Sequence, residues 1–236
     1  MSIQAYHRPE SIEAALELLG RSGVRTAIVA GGTHLTPRLK EDVDELVDLQ
    51  AAGLDEVQHT ETRMTMGAMV RLQTIVDDDK APELLRQSAH SVAPNTFRHQ
   101  GTVGGAIVAA DPTSELLAAL LVHQAQLTVT GEDGARQLSL SDFLSDTTEA
   151  LKGGLLTSVT LVKTGATARA RVARTPADAP IVAAVARRDN GGANHLALCG
   201  VAQTPILADA DDLDSLDPPA DFRGSSEYRR EMAKVL

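Results

Sequence analysis

The stretch Ala27-Ile28-Val29-Ala30-Gly31-Gly32-Thr33-His34-Leu35 joins an apolar run to a glycine pair and a threonine. A stretch of the same type, Gly101-Thr102-Val103-Gly104-Gly105, follows further along the chain. Glycine allows positive φ and brings backbone N–H groups close to a ligand, and consecutive N–H groups in such a turn form a concavity that binds anions. Two loops of this type can hold a diphosphate from two sides. The pair therefore predicts a dinucleotide site.

The residues around the first glycine pair predict a β–α–β unit. Apolar residues at helical spacing predict a helix over 11–20, and residues 24–30 are predicted to form a buried strand. The glycine pair makes the turn, residues 33–40 a short helix, and residues 45–49 the next strand. Ligands bind in α/β folds where such strands end. The alternative is a plain strand–turn–helix unit in which the glycines serve the turn alone.

The middle of the chain alternates short apolar runs with turn signals. A helix is predicted at 82–92, strands are predicted at 63–67, 127–130 and 155–162, and a further short element begins at 139–144. A change in composition at 163–167 marks a boundary between two parts of the chain.

Beyond that boundary the pattern changes to three strand-like runs, at 168–173, 181–187 and 193–201. An Asp-Asn-Gly-Gly turn joins the last two runs, which predicts a hairpin. Residues 209–219 are rich in Asp and Pro and are expected to be irregular. A terminal helix is predicted over 225–236, with Tyr228, Met232 and Val235 on one face.

Composition argues against a nucleic-acid partner and against a metal centre in this chain. Lys and Arg total 22 against 32 Asp and Glu, which gives a net charge of −10, and aromatic residues make up only 2%. Nucleic-acid binding relies on basic surfaces and stacking aromatics. The single cysteine, Cys199, lies in an apolar run and cannot hold an iron–sulfur cluster alone. The histidines lack the spacing of metal ligands, so no metal site is expected, and no catalytic side chain stands out.

The sequence shows no feature of a secreted or membrane-spanning chain. The first residues lack the apolar segment of a signal peptide, and no apolar run reaches the length of about 18 residues that a transmembrane helix needs. A cytoplasmic location is therefore expected.

Three segments in order resemble the FAD-binding medium subunit of the molybdenum hydroxylases. They are Ala30-Gly31-Gly32-Thr33-His34-Leu35 with the downstream Lys40, Gly101-Thr102-Val103-Gly104-Gly105 continuing to Asp111-Pro112 and Glu115-Leu116, and the tail Asp221-Phe222-Arg223-Gly224-Ser225-Ser226-Glu227-Tyr228-Arg229-Arg230. That family includes the medium subunit of aerobic carbon monoxide dehydrogenase and the FAD domain of xanthine dehydrogenase. The resemblance extends over nearly the whole chain.

The resemblance implies an α+β fold in two parts. A PCMH-type FAD-binding domain of two subdomains, divided near residue 55, is expected over 1–165. A small C-terminal domain with three antiparallel strands and a helix is expected over 166–236.

The resemblance also implies a function and partners. The chain is expected to be an oxidoreductase subunit that binds FAD, takes electrons from the [2Fe–2S] clusters of a small partner subunit and passes them to an external acceptor. A large partner subunit holds molybdopterin, and the assembly is expected to be a heterotrimer or a dimer of heterotrimers. One alternative is a flavin-free scaffold subunit of the same type of complex, and another is a stand-alone flavin oxidase.

Site residues follow from the same resemblance. Those expected to wrap the FAD diphosphate from one side are Ile28, Val29, Ala30, Gly31, Gly32, Thr33, His34 and Leu35. The second wall is expected to consist of Gly101, Thr102, Val103, Gly104 and Gly105. Asp111 or Glu115 is expected to accept hydrogen bonds from ribose or adenine, and Leu156 to contact the flavin through its backbone.

Three of these residues have structural alternatives. Asp111 precedes a proline and can simply begin a turn. Glu115 can be a carboxylate in the first turn of a helix, where the helix dipole stabilises it. The side chain of Leu156 can belong to the core.

Overall fold

The computed structural model describes residues 3–36, 43–92 and 94–236 of the chain. Its first layer is a parallel sheet with strand order β1–β3–β2, made of β1 (Ala5–His7), β2 (Thr26–Val29) and β3 (Glu45–Asp48). Helix α1 (Ile12–Leu19) connects β1 to β2 and begins after Ser11, whose side chain accepts a hydrogen bond from the N–H of Ala14. The predicted β–α–β unit is present, but β2 is not a buried strand. It forms an edge of the sheet, and Ile28 is 37% exposed.

The second layer is a five-stranded antiparallel sheet with strand order β4–β5–β8–β6–β7. Its strands are β4 (Val57–His59), β5 (Arg63–Gly67), β6 (Gln126–Gly131), β7 (Gly134–Ser139) and β8 (Gly154–Val162). Seven helices accompany it in sequence: α2 (Leu72–Asp77), α3 (Glu83–Ser91), α4 (Asn95–Arg98), α5 (Val103–Ala109), α6 (Glu115–Val122), α7 (Leu140–Ser145) and α8 (Thr147–Leu151). The largest hydrophobic cluster lies between this sheet and its helices.

The third layer is a second antiparallel sheet, with strand order β12–β11–β10–β9. Its strands are β9 (Ala166–Val172), β10 (Val182–Arg188), β11 (Asn194–Cys199) and β12 (Ile206–Ala208), and helix α9 (Ser226–Val235) packs beside it. The α+β class expected from the sequence is confirmed. The sheet has four strands rather than the expected three. The additional strand, β12, escapes prediction because it is only three residues long and its sequence shows no alternation of polar and apolar residues.

Helix α9 buries a different face from the predicted one. Tyr228 and Val235 are 39% and 73% exposed, whereas Arg229 and Ala233 are buried. The Arg229 guanidinium donates to the carbonyl oxygens of Ile181 at 2.6 Å and Gly200 at 2.8 Å. A buried arginine, which hydrophobic periodicity does not count, therefore sets the orientation of this helix.

Helix α6 packs against β10, β11 and β12 of the small sheet, and its apolar residues belong to the hydrophobic cluster that also includes residues of the five-stranded sheet. All eight residues of the helix are buried. At its C-terminal end, the fully buried Arg187 of β10 donates to the carbonyl oxygens of Val122 at 2.5 Å and Thr164 at 3.0 Å, and to Gln124 Oε1 at 2.9 Å. At its N-terminal end, Glu115 pairs with arginines of β9. The small sheet therefore holds this helix at both ends.

His123, directly after α6, is fully buried, and its Nδ1 donates to the carbonyl oxygen of Val162 at 2.6 Å. Burial lowers the pKa of His123 to about 4; the Val162 hydrogen bond opposes the shift and the charge of Arg187 adds to it. An unfolded histidine has a pKa of about 6.5. Between pH of about 4 and about 6.5, the unfolded chain therefore binds a proton at His123 that the folded chain does not bind.

We expect the free energy of unfolding to fall by up to about 3 kcal/mol through His123 as the pH decreases from about 6.5 to about 4. Above pH of about 6.5, His123 is neutral in both the folded and the unfolded chain, so its full contribution to the free energy of unfolding is retained there. Urea unfolding of the wild type and of His123→Gln across this range measures it, because glutamine does not titrate there. The exposed His90, changed to Gln, is the matched control. If His123→Gln and His90→Gln lose stability with the same pH slope, this prediction is wrong.

Within the described ranges, no helix is both long and apolar enough to cross a membrane.

Candidate functional site

The two glycine loops meet backbone against backbone. A Cβ atom added to Gly31 would lie 1.9 Å from the carbonyl oxygen of Gln100 and 3.0 Å from the Cα of Gly101. A Cβ atom added to Gly101 would lie 3.5 Å from Thr33 Oγ1. Only glycine at position 31 permits this approach, because any side chain there overlaps the second loop. The sequence prediction that the two loops act together is consistent with this contact.

The first loop leaves several backbone donors without a protein partner. Gly32 has a φ of 71°, in the left-handed region that favours glycine. In the part of the chain that the structure describes, the N–H groups of Gly31, Gly32 and Thr33 donate to no protein acceptor, while the N–H of Thr36 donates to the carbonyl of Gly32 at 2.9 Å. Three successive free donors suit an anion such as a phosphate. The predicted helix over 33–40 and Lys40 lie partly or wholly outside the described residues.

The second loop uses most of its backbone donors to fix itself in place. The Oγ1 of Thr102 accepts from the N–H of Gly105 at 3.1 Å and caps α5. The N–H groups of Val103 and Gly104 donate to the carbonyls of Val70 and Ala68, each at 2.9 Å. The hydroxyl proton of Thr102 remains available to a ligand, since its oxygen is the acceptor in the cap.

Gly104 is required for packing rather than for a turn. A Cβ atom added there would lie 2.7 Å from both the Cβ and the carbonyl oxygen of Ala68. This contact seats the start of α5 against the segment that precedes α2. The second glycine pair therefore differs from the first, where the loop itself turns through a left-handed residue.

The loops border a cavity of about 700 Å³. Small-molecule sites typically enclose about 300 to 1,000 Å³. Fourteen of the sixteen predicted site residues line it: Ile28, Ala30, Gly31, Gly32, Thr33, His34, Leu35, Gly101, Thr102, Gly104, Gly105, Asp111, Glu115 and Leu156. Val29 and Val103 do not, and the reason for Val103 is that it is fully buried in the core.

Glu115 fits both interpretations made from the sequence. It lies in the first turn of α6, after the N-cap Ser114, and it also lines the cavity. Its carboxylate is almost fully buried and lies 3.6 Å from Nη1 of Arg169 and 3.4 Å from Nη1 of Arg171. Its Oε1 accepts no hydrogen bond from the described residues. A buried acceptor on the cavity wall thus keeps capacity for a ligand donor.

Asp111 and Leu156 also have two roles each. The Oδ1 of Asp111 accepts from the N–H of Thr113 at 2.8 Å and from its hydroxyl at 2.7 Å, which is the turn-forming role, and Asp111 lines the cavity as well. Leu156 belongs to the main hydrophobic cluster and lines the cavity from β8.

Sequence reasoning missed the apolar part of the wall. The residues missed include Ala68, Met69, Leu72, Phe97 and Leu155, all of which line the cavity. Most of these residues are of types found in any hydrophobic core, so composition alone does not identify them as part of a binding site. Phe97 has a detectable signal, because it is one of only three Phe residues and lies just before the second loop.

Arg98, which flanks the second loop, has a structural role. It is mostly buried and donates to Gln73 Oε1 at 2.9 Å and to the carbonyl of His90 at 3.0 Å. Cys199 is fully buried as expected, and burial raises the pKa of its thiol. Among the described residues there is no group of three or more His, Cys, Asp or Glu side chains arranged to hold a metal ion.

Residues 1–162 match the family described as the FAD binding domain in molybdopterin dehydrogenase. The chain is 31% identical over 270 aligned positions to the glyceraldehyde dehydrogenase medium chain of Sulfolobus acidocaldarius, covering 98% of this chain and 95% of the relative. It is 31% identical over 268 positions to the carbon monoxide dehydrogenase medium chain of Afipia carboxidovorans, covering 98% and 93%. The structure superimposes on a chain of a cyanide-inactivated Cu,Mo-CO dehydrogenase with a TM-score of 0.83 at 28% identity, covering 100% and 96%.

Proposed function

Because the chain belongs to the family of FAD-binding domains in molybdopterin dehydrogenases, we propose that it is the electron-transfer subunit of a molybdenum hydroxylase complex. The observation that carries this proposal is the meeting of two glycine loops at one cavity, with three backbone donors on the first loop that have no acceptor among the described residues. FAD supplies the redox chemistry when it is bound. The protein supplies position and electrostatics.

The fit between the residues and FAD rests on the donor set and on the space at the loops. The N–H groups of Gly31, Gly32 and Thr33 would donate to diphosphate oxygens from one side, and the hydroxyl of Thr102 from the other. The contact between Gly31 and Gln100 brings these donors together without an intervening side chain. A cradle of backbone amides and hydroxyls stabilises a diphosphate through its donor groups.

We assign the cofactor site to the sixteen residues proposed from the sequence, fourteen of which line the cavity. Residues 28–35 form one wall at the diphosphate and residues 101–105 the other. Asp111 or Glu115 accepts hydrogen bonds from the ribose or adenine, and the Oε1 of Glu115, which accepts no hydrogen bond from the described residues, supports this role. Leu156 contacts the flavin through its backbone. Val29 and Val103 act from behind the wall, since neither lines the cavity.

The division into two domains is also a proposal. The FAD-binding domain comprises residues 1–165, with its two subdomains meeting near residue 55, and the C-terminal domain comprises residues 166–236. The three sheets support this division, because among the described residues no strand belongs to more than one of them. The sheets span 5–48, 57–162 and 166–208.

The proposed partners are a small subunit with [2Fe–2S] clusters, which gives electrons to FAD, and a large molybdopterin subunit. The relatives named medium chain support this, because that name belongs to one chain of a larger enzyme. The complex would be a heterotrimer or a dimer of heterotrimers in the cytoplasm, passing electrons to an external acceptor.

The first test is the cofactor itself. The chain purified with its partners should release FAD at about one per chain, and the complex should show iron–sulfur absorbance beside that of the flavin. A flavin-free but intact complex would contradict the proposal and favour the scaffold alternative. Flavin without molybdenum and iron–sulfur partners would favour a stand-alone flavin oxidase.

Changing Thr33 to Val tests the diphosphate site. We expect the dissociation constant for FAD to rise about ten-fold, because Thr33 lines the cavity and its hydroxyl, which we propose donates to the diphosphate, is lost while the side chain keeps its shape. Flavin fluorescence titration measures it. Thr62→Val is the matched control, since Thr62 is exposed and does not line the cavity. Equal affinity for Thr33→Val and Thr62→Val would remove Thr33 from the site.

A further inference from the structure

The contact between the two glycine loops depends on one carbonyl group. The carbonyl oxygen of Gln100 lies only 1.9 Å from the position that a Cβ atom of Gly31 would take, so the position of this carbonyl sets how closely the second loop approaches the first. This carbonyl group belongs to the short segment without regular structure that connects α4 to α5. An adjacent group that holds this carbonyl therefore holds the spacing of the two loops.

Arg71 is that group. Its Nη1 donates to the carbonyl oxygens of His99 at 2.7 Å and Gln100 at 3.2 Å, and it lies 3.3 Å from Gln100 Oε1. The backbone beside it is joined to the same loop, because the N–H of Leu72 donates to the carbonyl of Gly101 at 2.9 Å. Arg71 itself does not line the cavity.

We propose that Arg71 is a positioning residue for the cofactor, which holds the second diphosphate loop against the first through the carbonyls of His99 and Gln100. This inference rests on the proposed FAD site. A guanidinium suits the task because its planar, charged donors satisfy two successive carbonyls at once. Its positive charge also offsets the negative ends of these carbonyl dipoles beside a bound diphosphate.

The experiment compares three variants of the full chain. Arg71→Gln should raise the dissociation constant for FAD about ten-fold, because the loop loses its charged anchor. Arg71→Lys should raise it about three-fold, since an ammonium keeps the charge and one donor nitrogen but is more strongly hydrated and sits on a more flexible stem than the guanidinium. Arg86→Gln is the matched control. Arg86 donates from Nε to the carbonyl of Val76 at 3.2 Å, a contact of the same kind near the end of α2, and neither residue lines the cavity.

A second measurement does not depend on bound flavin. Hydrogen exchange of the amides of residues 99–105 in the flavin-depleted protein should be about ten-fold faster in Arg71→Gln than in wild type or Arg86→Gln, because the loop opens more often. An unchanged FAD affinity in Arg71→Gln, an equal loss in Arg86→Gln, or unchanged exchange would overturn the inference. A wild-type chain that binds no FAD would contradict the proposed function instead, and the exchange data would still decide the role of Arg71.

Discussion

Replacing Gly31 with Ala should severely weaken flavin binding in an otherwise folded protein. The new methyl group would lie 1.9 Å from the carbonyl oxygen of Gln100. Both colliding groups are fixed to the backbone, so no rotamer change relieves the overlap, and the loops have to separate by about 1 Å or more. Since a displacement of that size at a site costs orders of magnitude, we expect the dissociation constant for FAD to rise about 1,000-fold.

The control for this prediction is the same change at Gly191. A Cβ atom there meets only the carboxylate of Asp189, at 3.3 Å, in the turn between β10 and β11. Equilibrium dialysis with FAD compares the two variants, and circular dichroism shows that both are folded. Retention of flavin by folded Gly31→Ala, at wild-type affinity, would show that the contact between the loops is not needed for the cofactor.

Replacing Arg187 with Met should lower the free energy of unfolding by about 4 kcal/mol. The guanidinium is 1% exposed and satisfies the carbonyls of Val122 and Thr164 and the side chain of Gln124. Methionine fills a similar volume but donates no hydrogen bond, so the buried carbonyl of Val122 loses its side-chain donor, and the contacts to Thr164 and Gln124 are lost as well. Chemical denaturation of the full chain measures the loss.

Arg188→Met is the matched control, since Arg188 is the next residue of the same strand and is exposed on its other face. Surface substitutions of this kind usually change stability by no more than about 0.5 kcal/mol. Similar losses in both variants would mean that strand propensity, rather than the buried contacts, accounts for the effect.

Periodic segments are the part of this fold that the sequence predicts best. Strand β5 is predicted to the residue, because Met64 and Met66 alternate with polar neighbours and both are fully buried. Helix α1 is predicted within one residue at each end by its apolar spacing and by Ser11. Such signals are local, and no other part of the chain is needed to interpret them.

The features that escape prediction depend on contacts distant in sequence. The orientation of α9 follows from Arg229, which reaches carbonyls 29 and 48 residues away. The apolar cavity wall consists of residues such as Ala68 and Met69, whose types fit any core. The glycine pairs alone predict an anion site, whereas FAD as the ligand comes from the resemblance of the whole motif order to a family. The spacing of the glycines within one sequence does not identify which ligand is bound.

The burial of α6 has a consequence for how the protein is made. Its eight residues, from Glu115 to Val122, are apolar on nearly every side, and the partners that cover them include β10 and β11, synthesised later. Arg187, which secures the end of the helix, emerges from the ribosome 65 residues after Val122. The cavity wall at Glu115 is thus finished only after the small sheet has been translated. Flavin loading is therefore expected to follow translation of β10, because a nascent chain that ends before this strand leaves the apolar surface of α6 uncovered.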